Sequence, residues 1–360
     1  MLTKDEIMTA LASVAGPDGK TSLAGSGALS DVLISGGRVT FSITGDPARS
    51  AELEVVRLSA ERAVKALKGV ETVLVALTAE RQAQASPPTG VPGGRPVSAR
   101  TSAMRSRTPI VGVDRVIAVA SGKGGVGKST TAANLALALA SEGMSVGVLD
   151  ADIYGPSMPR LFGLTGKPEI SEGRVIQPLQ AYGLKIMSMG FLVSEQTAMV
   201  WRGPMVAGAV HQMLREVAWE PLDVLVVDMP PGTGDAQLTL AQSVALSGVV
   251  IVSTPQDLAL IDARRGVEMF RKVDAPILGI IENMSSFTCP NCGARHDIFG
   301  HGGARKEAAR IGIPFLGEIP LELALRETSD TGCPIVAAQP SSAITQAFRN
   351  IARRVKAAIA

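Results

Sequence analysis

Ser121–Thr130 reads SGKGGVGKST. Gly122, Gly127, Lys128 and Ser129 stand at the four fixed places of the phosphate-loop pattern G-x-x-x-x-G-K-[ST]. The flanks agree with it. Arg115–Ala120 (RVIAVA) has the character of a short apolar strand, and Ser129–Ala140 (STTAANLALALA) that of a helix. A strand, a glycine-rich loop and a helix in that order aim backbone N–H groups and a helix N-terminus at a phosphate chain. Glycines let the backbone approach the phosphates with no Cβ in the way. Gly122, Gly124, Gly125, Val126, Gly127, Lys128, Ser129 and Thr130 are therefore the expected cradle for ATP. Lys128 would face the β- and γ-phosphates, and the Ser129 hydroxyl would ligate Mg²⁺. Lys123, just after the first glycine, is a second lysine that an ordinary loop does not require.

Downstream of this loop the chain alternates strand and helix patterns. Expected strands are Arg115–Ala120, Ser145–Asp150, Leu184–Met189, Asp223–Asp228, Gly248–Thr254 and Ile277–Asn283. They are mostly continuous Val/Ile/Leu runs, as strands covered on both faces should be. The fold class that follows is α/β: a P-loop NTPase with a mostly parallel sheet flanked by helices. Upstream, residues 83–110 are rich in Pro, Gly, Ser and Arg and read as a flexible linker. Residues 1–82 before it read as a small α/β domain of order α-β-β-α-β: Lys4–Val14, Asp31–Ile34, Arg38–Ile43 around a Gly36-Gly37 turn, Glu52–Lys68 and Thr72–Thr78. The ATPase domain is expected over 111–360.

Bulk properties narrow the partners. A net charge of +2 gives no sign of a polyanion partner, and 3% aromatics leave little for stacking on single-stranded nucleic acid. No nucleic acid is expected. No apolar run is long enough to cross a bilayer and no signal segment opens the chain, so a cytoplasmic protein without a membrane partner is expected. Three cysteines are too few for a disulfide scaffold.

Two more segments point at the nucleotide. Val146–Asp152 (VGVLDAD) is a strand ending in acids, followed by IYGPS, and strand ends on this side of a parallel sheet face the ligand crevice. Asp152 can position or polarise the attacking water, and Asp150 can act near Mg²⁺ through water. Val224–Asp235 (VLVVDMPPGTGD) is an apolar strand ending in Asp228, the Walker-B pattern, which places a carboxylate where it can hold Mg²⁺. The Gly232 amide in the following turn can sense a γ-phosphate.

Thr288–Gly293 (TCPNCG) places Cys289 and Cys292 at a spacing suited to one metal or cluster edge. One chain supplies two close thiolates and a closed tetrahedral site needs four. A symmetric dimer would bring four to its two-fold axis, which suits a 4Fe-4S cluster bridging two chains. A zinc knuckle completed by His296 and His301, a redox disulfide and an inert turn are the alternatives. Cys333 reads as a small apolar residue.

KGGVGK, DAD with IYGPS, and VVDMPPGTGD together resemble the deviant-Walker-A, MinD-like ATPases. With WRGPM (Trp201–Met205), TPQ (Thr254–Gln256), IENMS (Ile281–Ser285) and CPNC (Cys289–Cys292), the chain from about Val113 to its end is similar to the Mrp/ApbC-type iron–sulfur cluster carrier ATPases. Residues 1–82 resemble the iron–sulfur-assembly domain that often precedes them. They depart from its pattern at Gly16-Pro17-Asp18 and lack a cysteine near Asp46-Pro47. The resemblance implies a slow ATPase acting as a homodimer, with a bridging 4Fe-4S cluster passed from an assembly scaffold to apo iron–sulfur proteins. It implies that Lys123 reaches across the dimer to the partner's phosphates, that Asp152 serves the hydrolytic water, and that Asn283 hydrogen-bonds the adenine. Lys123, Lys128 and Asp152 are then the catalytic set, and Asp228 and Asn283 join the nucleotide-binding set.

The competing class is a MinD/ParA-like spatial organiser. Such proteins anchor through a C-terminal amphipathic helix, and Ser342–Ala358 is a helix with Ile344, Phe348, Ile351 and Val355 on one face. That stripe is short of bulky residues, and packing onto the ATPase body is its expected fate. The C-x-x-C pair is the feature an organiser does not need.

Overall fold

The computed structural model describes residues 3–16, 21–29, 32–35, 38–45, 50–67, 69–70, 72–79, 109–171, 175–192 and 203–360. The chain divides into two units, Met1–Ala99 and Arg100–Ala360. The linker expected at 83–110 lies almost wholly outside the described residues. So do Gly36-Gly37, Pro17-Asp18, Asp46-Pro47 and Trp201-Arg202.

In the first unit, α1 (Lys4–Ala12) opens with a capping box. The Thr3 side chain accepts from the Glu6 N–H, and the Glu6 carboxylate accepts from the Thr3 N–H at 2.8 Å. β1 (Leu33–Ser35) runs antiparallel to β2 (Arg38–Gly45). α2 (Ser50–Lys65) is the crossover that lets β3 (Thr72–Ala79) return parallel to β2, in register from Arg38↔Thr72 to Gly45↔Ala79. Alternate residues of β2, Val39, Phe41 and Ile43, bury against Ile7 and Leu11 of α1 and Ala60 and Val64 of α2. The order α-β-β-α-β is the expected one.

The second unit runs β4 (Val113–Ala120), α3 (Lys128–Ser141), β5 (Val146–Asp150), α4 (Met158–Leu161), β6 (Leu179–Ala181), β7 (Leu184–Ser188), α5 (Gly203–Glu216), β8 (Leu222–Asp228) and α6 (Asp235–Ser243). It continues with β9 (Gly248–Ser253), α7 (Asp257–Lys272), β10 (Ile277–Thr288), β11 (Arg295–His296), α8 (Gly303–Ile311), β12 (Phe315–Leu321), α9 (Leu323–Asp330), α10 (Ile335–Ala338) and α11 (Ala343–Ile359). The sheet order is β11-β10-β9-β4-β8-β5-β7-β6, with β12 also paired to β10. Only β6 and β11 are antiparallel to their neighbours. Every residue of β5 and β9 is buried, which is why these strands read as unbroken apolar runs. This is the α/β P-loop architecture, a mostly parallel sheet flanked by helices.

Two of the differences from the sequence expectation concern β10 and its neighbours. β10 runs to Thr288, five residues past Asn283, because β11 folds back on its end through Phe287↔His296 and Thr288↔Arg295. β12 was not foreseen: Gly317 and Pro320 break its apolar pattern, and its pairing to β10 is what makes it a strand.

Among the described residues no helix is long and apolar enough to cross a membrane. α11 buries Ile344, Thr345, Phe348, Ile351, Ala352, Val355 and Ile359 against α3 and β12. Its apolar face is therefore spent on the second unit. Arg115 fixes the far end by donating to the Ile359 carbonyl at 2.9 Å. Phe348 is fully enclosed. Phe348→Ala is expected to destabilise this unit by about 3–5 kcal/mol, read as a lower midpoint in urea unfolding. An unchanged midpoint would mean that α11 is not part of the folded core.

Candidate nucleotide site and cysteine hairpin

Register brings the acids together. In the parallel pairing of β5 and β8, Asp150 lies beside Asp228, and Asp228 also pairs with Val119 near the end of β4, where the phosphate loop begins. Adjacent residues in register on parallel strands share a face, so both carboxylates converge on one side at the C-terminal edge.

Lys128 is the cation at their centre. Its side chain is only 6% exposed, and its ammonium donates to Asp228 Oδ1 and to Ser129 Oγ at 3.1 Å. Asp152 Oδ2 is 4.0 Å away. An ammonium this enclosed would cost several kcal/mol if unpaired, so the pairing is a condition of burying it. Burial raises the Asp228 pKa, opposed by Lys128. Asp152 is raised by burial, again opposed by Lys128.

Asp228 Oδ2 is buried and has no hydrogen-bond partner among the described residues. An orphaned carboxylate oxygen next to the Ser129 hydroxyl is the hard oxygen donor set that suits Mg²⁺. The residues present fit that ion.

Asp150 departs from the sequence reading. Its Oδ1 accepts from the Asp152 N–H (3.1 Å), and its Oδ2 accepts from the N–H groups of Ser157 (2.9 Å) and Met158 (3.0 Å) and from Ser188 Oγ (3.0 Å). It is the anchor of the IYGPS loop, and both of its oxygens are committed to that. Burial lifts its pKa to about 7, with the Asp228 charge adding to the rise and the hydrogen bonds opposing it.

The loop itself is held by close contacts. Gly127 has φ +81°, and a Cβ there would meet Asn283 Nδ2 at 2.2 Å. A Cβ on Gly122 would meet the Asp262 backbone at 2.2 Å, where the loop runs against α7. Asn283, expected at the adenine, donates to the Val126 carbonyl at 2.8 Å and so buttresses the loop. The Gly232 N–H, expected to sense phosphate, donates to the Ser121 carbonyl at 3.0 Å. Lys123 is half-buried, its carbonyl accepting from Ser121 Oγ at 2.9 Å. Among the described residues no acid pairs with its ammonium. Gly124 and Gly125 are exposed, and Ser129 and Thr130 are half-buried at the start of α3. Two positions that sequence reasoning passed over also matter here. Asn134 ties the helix to α10, donating to the Thr130 carbonyl and accepting from the Val336 N–H. Gln237 is buried and donates to the Pro230 carbonyl at 3.2 Å. Neither has a sequence signal beyond being polar within an apolar helix.

Cys289 and Cys292 sit in the turn between β10 and β11, closed by the Cys289 N–H to the Ala294 carbonyl and the Gly293 N–H to the Cys289 carbonyl, both 2.9 Å. Both thiols are free, Cys292 exposed and Cys289 partly so. The backbone N–H groups of Cys292 and Asn291, and then the Cys292 thiol, lower the Cys289 pKa. Donors aimed at sulfur favour the thiolate, the form that ligates metal. Of the histidines of the zinc-knuckle alternative, His301 goes elsewhere. His296 is in β11, and His301 Nε2 lies 3.2 Å from Glu318 Oε2. No described His, Asp or Glu joins the cysteines in a three-ligand cluster. Cys333, far along the chain, joins no such cluster either.

A phosphate loop on the central strand, Asp228 on the next and a C-x-x-C hairpin on a third define a P-loop NTPase with a cysteine-bearing appendage. Residues 112–356 match the family described as NUBPL iron-transfer P-loop NTPase, and residues 4–75 match the iron–sulfur cluster assembly protein family. The chain belongs to the NUBPL iron-transfer P-loop NTPase family. It is 45% identical to an iron–sulfur cluster carrier protein of Synechocystis, over 99% of this chain and 97% of that one. It is 56% identical to the mouse iron–sulfur cluster transfer protein NUBPL, over 69% of this chain and 78% of that one. A nucleotide-binding protein of Archaeoglobus fulgidus, solved with ADP, is 44% identical with a TM-score of 0.55, covering 61% of this chain and 87% of that one. The MinD cell division ATPase of Pyrococcus furiosus, 23% identical with a TM-score of 0.53 over 68% of this chain and 99% of that one, shares the fold.

The Asp150 environment has a pH consequence. Its folded pKa of about 7 exceeds the unfolded value of about 4. Its contribution to stability is therefore fully present below about pH 4 and is lost as pH rises through about 7. Without added nucleotide, urea unfolding should show stability falling between pH 5 and pH 8 by on the order of a few kcal/mol. Asp150→Asn should flatten that slope, even if it lowers stability overall. An equal slope in the variant would assign the dependence to another group.

Proposed function

We propose that this chain is an ATP-hydrolysing iron–sulfur cluster carrier that acts as a homodimer, holds a bridging 4Fe-4S cluster on Cys289 and Cys292 of both chains, and passes it to apo iron–sulfur proteins. The observation that carries the reading is the cysteine pair at a hairpin tip, Cys292 exposed and Cys289 partly so, with no third ligand clustered with it among the described residues. Two thiolates per chain are half of a four-thiolate site, and a two-fold axis supplies the other half. A cluster held there would be exposed, as handing it on requires. The names of the Synechocystis and mouse relatives, and the assembly-domain match over residues 4–75, support the same reading.

In this mechanism the P-loop amides and Lys128 bind the phosphate chain. Lys128 exchanges its contact with Asp228 for the β- and γ-phosphates. Ser129 and Asp228 would hold Mg²⁺, which would offset phosphate charge. Asp152, kept close to Lys128 at the crevice, orients the attacking water. Lys123 supplies a second positive charge to the partner's site, where it stabilises charge developing on the transferred phosphoryl group.

A trans lysine and a cis acid make a mixing test. Lys123→Ala and Asp152→Ala proteins should each be inactive. Mixed in equal amounts with free subunit exchange, they should regain about a quarter of wild-type ATPase activity, since half the dimers then carry one intact site. Confirmed exchange with no recovery would overturn the trans role.

Anaerobic reconstitution tests the cargo. About two irons per chain, with matching sulfide, are expected in wild type. Cys289→Ser or Cys292→Ser should abolish them, and Cys333→Ser should not. Stoichiometric zinc in a monomer that takes up no cluster would overturn the carrier reading while leaving the ATPase.

A further inference from the structure

Glu282 and Asn283 are neighbours on β10 and point to opposite faces of the sheet. Asn283 reaches the phosphate loop, whereas Glu282 turns toward α8. Its register partner on β12 is Glu318, so two carboxylates stand side by side on that face. His301, in the segment leading into α8, closes over them. The ligand atoms of Glu282, His301 and Glu318 all lie within 4.8 Å of one another.

The charge balance of this group is unusual. Glu282 is fully buried, yet among the described residues neither it nor Glu318 forms an ion pair with Lys or Arg. The nearby arginines are engaged elsewhere. Arg264 and Arg310 both pair with Glu307, and Arg305 lies over the Phe315 ring at 4.3 Å. Buried carboxylates are normally paired with a cation or coordinated to a metal. Glu282 is also held rigidly, accepting from the N–H groups of Gly302 (2.8 Å) and Ala304 (2.7 Å). These two bonds leave a carboxylate with lone pairs to spare, and backbone donors of this kind orient a ligating group. His301 and Glu318 are each more than a third exposed. His301 also borders a cavity of about 350 Å³, with Gly300 and Gly303.

We propose that Glu282, His301 and Glu318 form a second metal site, for a divalent first-row transition ion, separate from both the cysteine pair and the Mg²⁺ position. One imidazole and two carboxylates without thiolate suit Zn²⁺, Co²⁺, Fe²⁺ or Mn²⁺, with solvent filling the remaining positions. Glu282 would be the rigid ligand, and His301 and Glu318 the two that close from the surface. The ion would tie the start of α8 to β10 and β12.

The test uses the tag-free full chain carrying Cys289→Ser and Cys292→Ser, in excess Mg²⁺ and without nucleotide. The probe is Co²⁺, followed by calorimetry and by metal analysis after gel filtration. About one Co²⁺ per chain is expected. His301→Ala and Glu318→Gln, both at the surface, should each weaken it at least about 10-fold, a loss that even outer-shell partners cause. Thermal melting without metal should be unchanged in both variants. In the background that keeps both cysteines, neither change should alter iron uptake. No retained Co²⁺, or retention indifferent to both changes, overturns the site. Loss of iron uptake in His301→Ala also overturns it, because His301 would then belong to the cysteine metal.

Discussion

The buried ion pair between Lys128 and Asp228 is the constraint around which the P-loop NTPase unit is arranged. An ammonium that is 6% exposed can stay charged only if a carboxylate is delivered to it, and parallel register delivers Asp228 from the adjacent strand. The same register sets Asp150 next to Asp228, which raises a repulsion that the structure has to manage. It does so by surrounding Asp150 with N–H and O–H donors from the IYGPS loop and Ser188. Fixing that loop in turn sets Asp152 near Lys128. One pairing thus accounts for the place of each acid at the crevice.

β10 connects this centre to the cysteines. It carries Glu282 against α8, Asn283 against the phosphate loop and, just past its end, Cys289 in the hairpin turn. Between Asn283 and Phe287 the pairing to β12 shifts register, and Met284 takes a positive φ of 57°. A side chain in that region is strained by roughly 1–3 kcal/mol and persists only where its surroundings hold it. Here Asn283 is fixed on one side and the β10–β11 hairpin on the other. Asn283, which holds the phosphate loop, and the cysteine turn are thus carried on one continuous strand with a strained point between them.

The buried face of α11 bears on the choice between carrier and organiser. An anchoring helix must keep its apolar stripe free, whereas Phe348, Ile351 and Val355 are enclosed by α3 and β12. The MinD neighbour shares the architecture. Fold and function separate at that point, since a common P-loop scaffold hosts different sites on its edges.

What the sequence determined by itself were the features encoded locally. The SGKGGVGKST loop, the apolar strands ending in Asp150 and Asp228, the helix from Lys128 and the Cys289–Cys292 turn all depend on residue spacing within about ten positions. Backbone sterics and burial on both faces suffice to write such patterns into the chain. Only tertiary structure decided which groups meet across long separations. It committed Asp150 to the loop, set Asn283 against Val126 some 157 residues away, and turned His301 from the cysteines to Glu318. It also made a strand of Phe315–Leu321, whose Gly317 and Pro320 argue against one until β10 lies beside it. Strand pairing and buried charge are settled by partners distant in sequence, and no local pattern contains those partners.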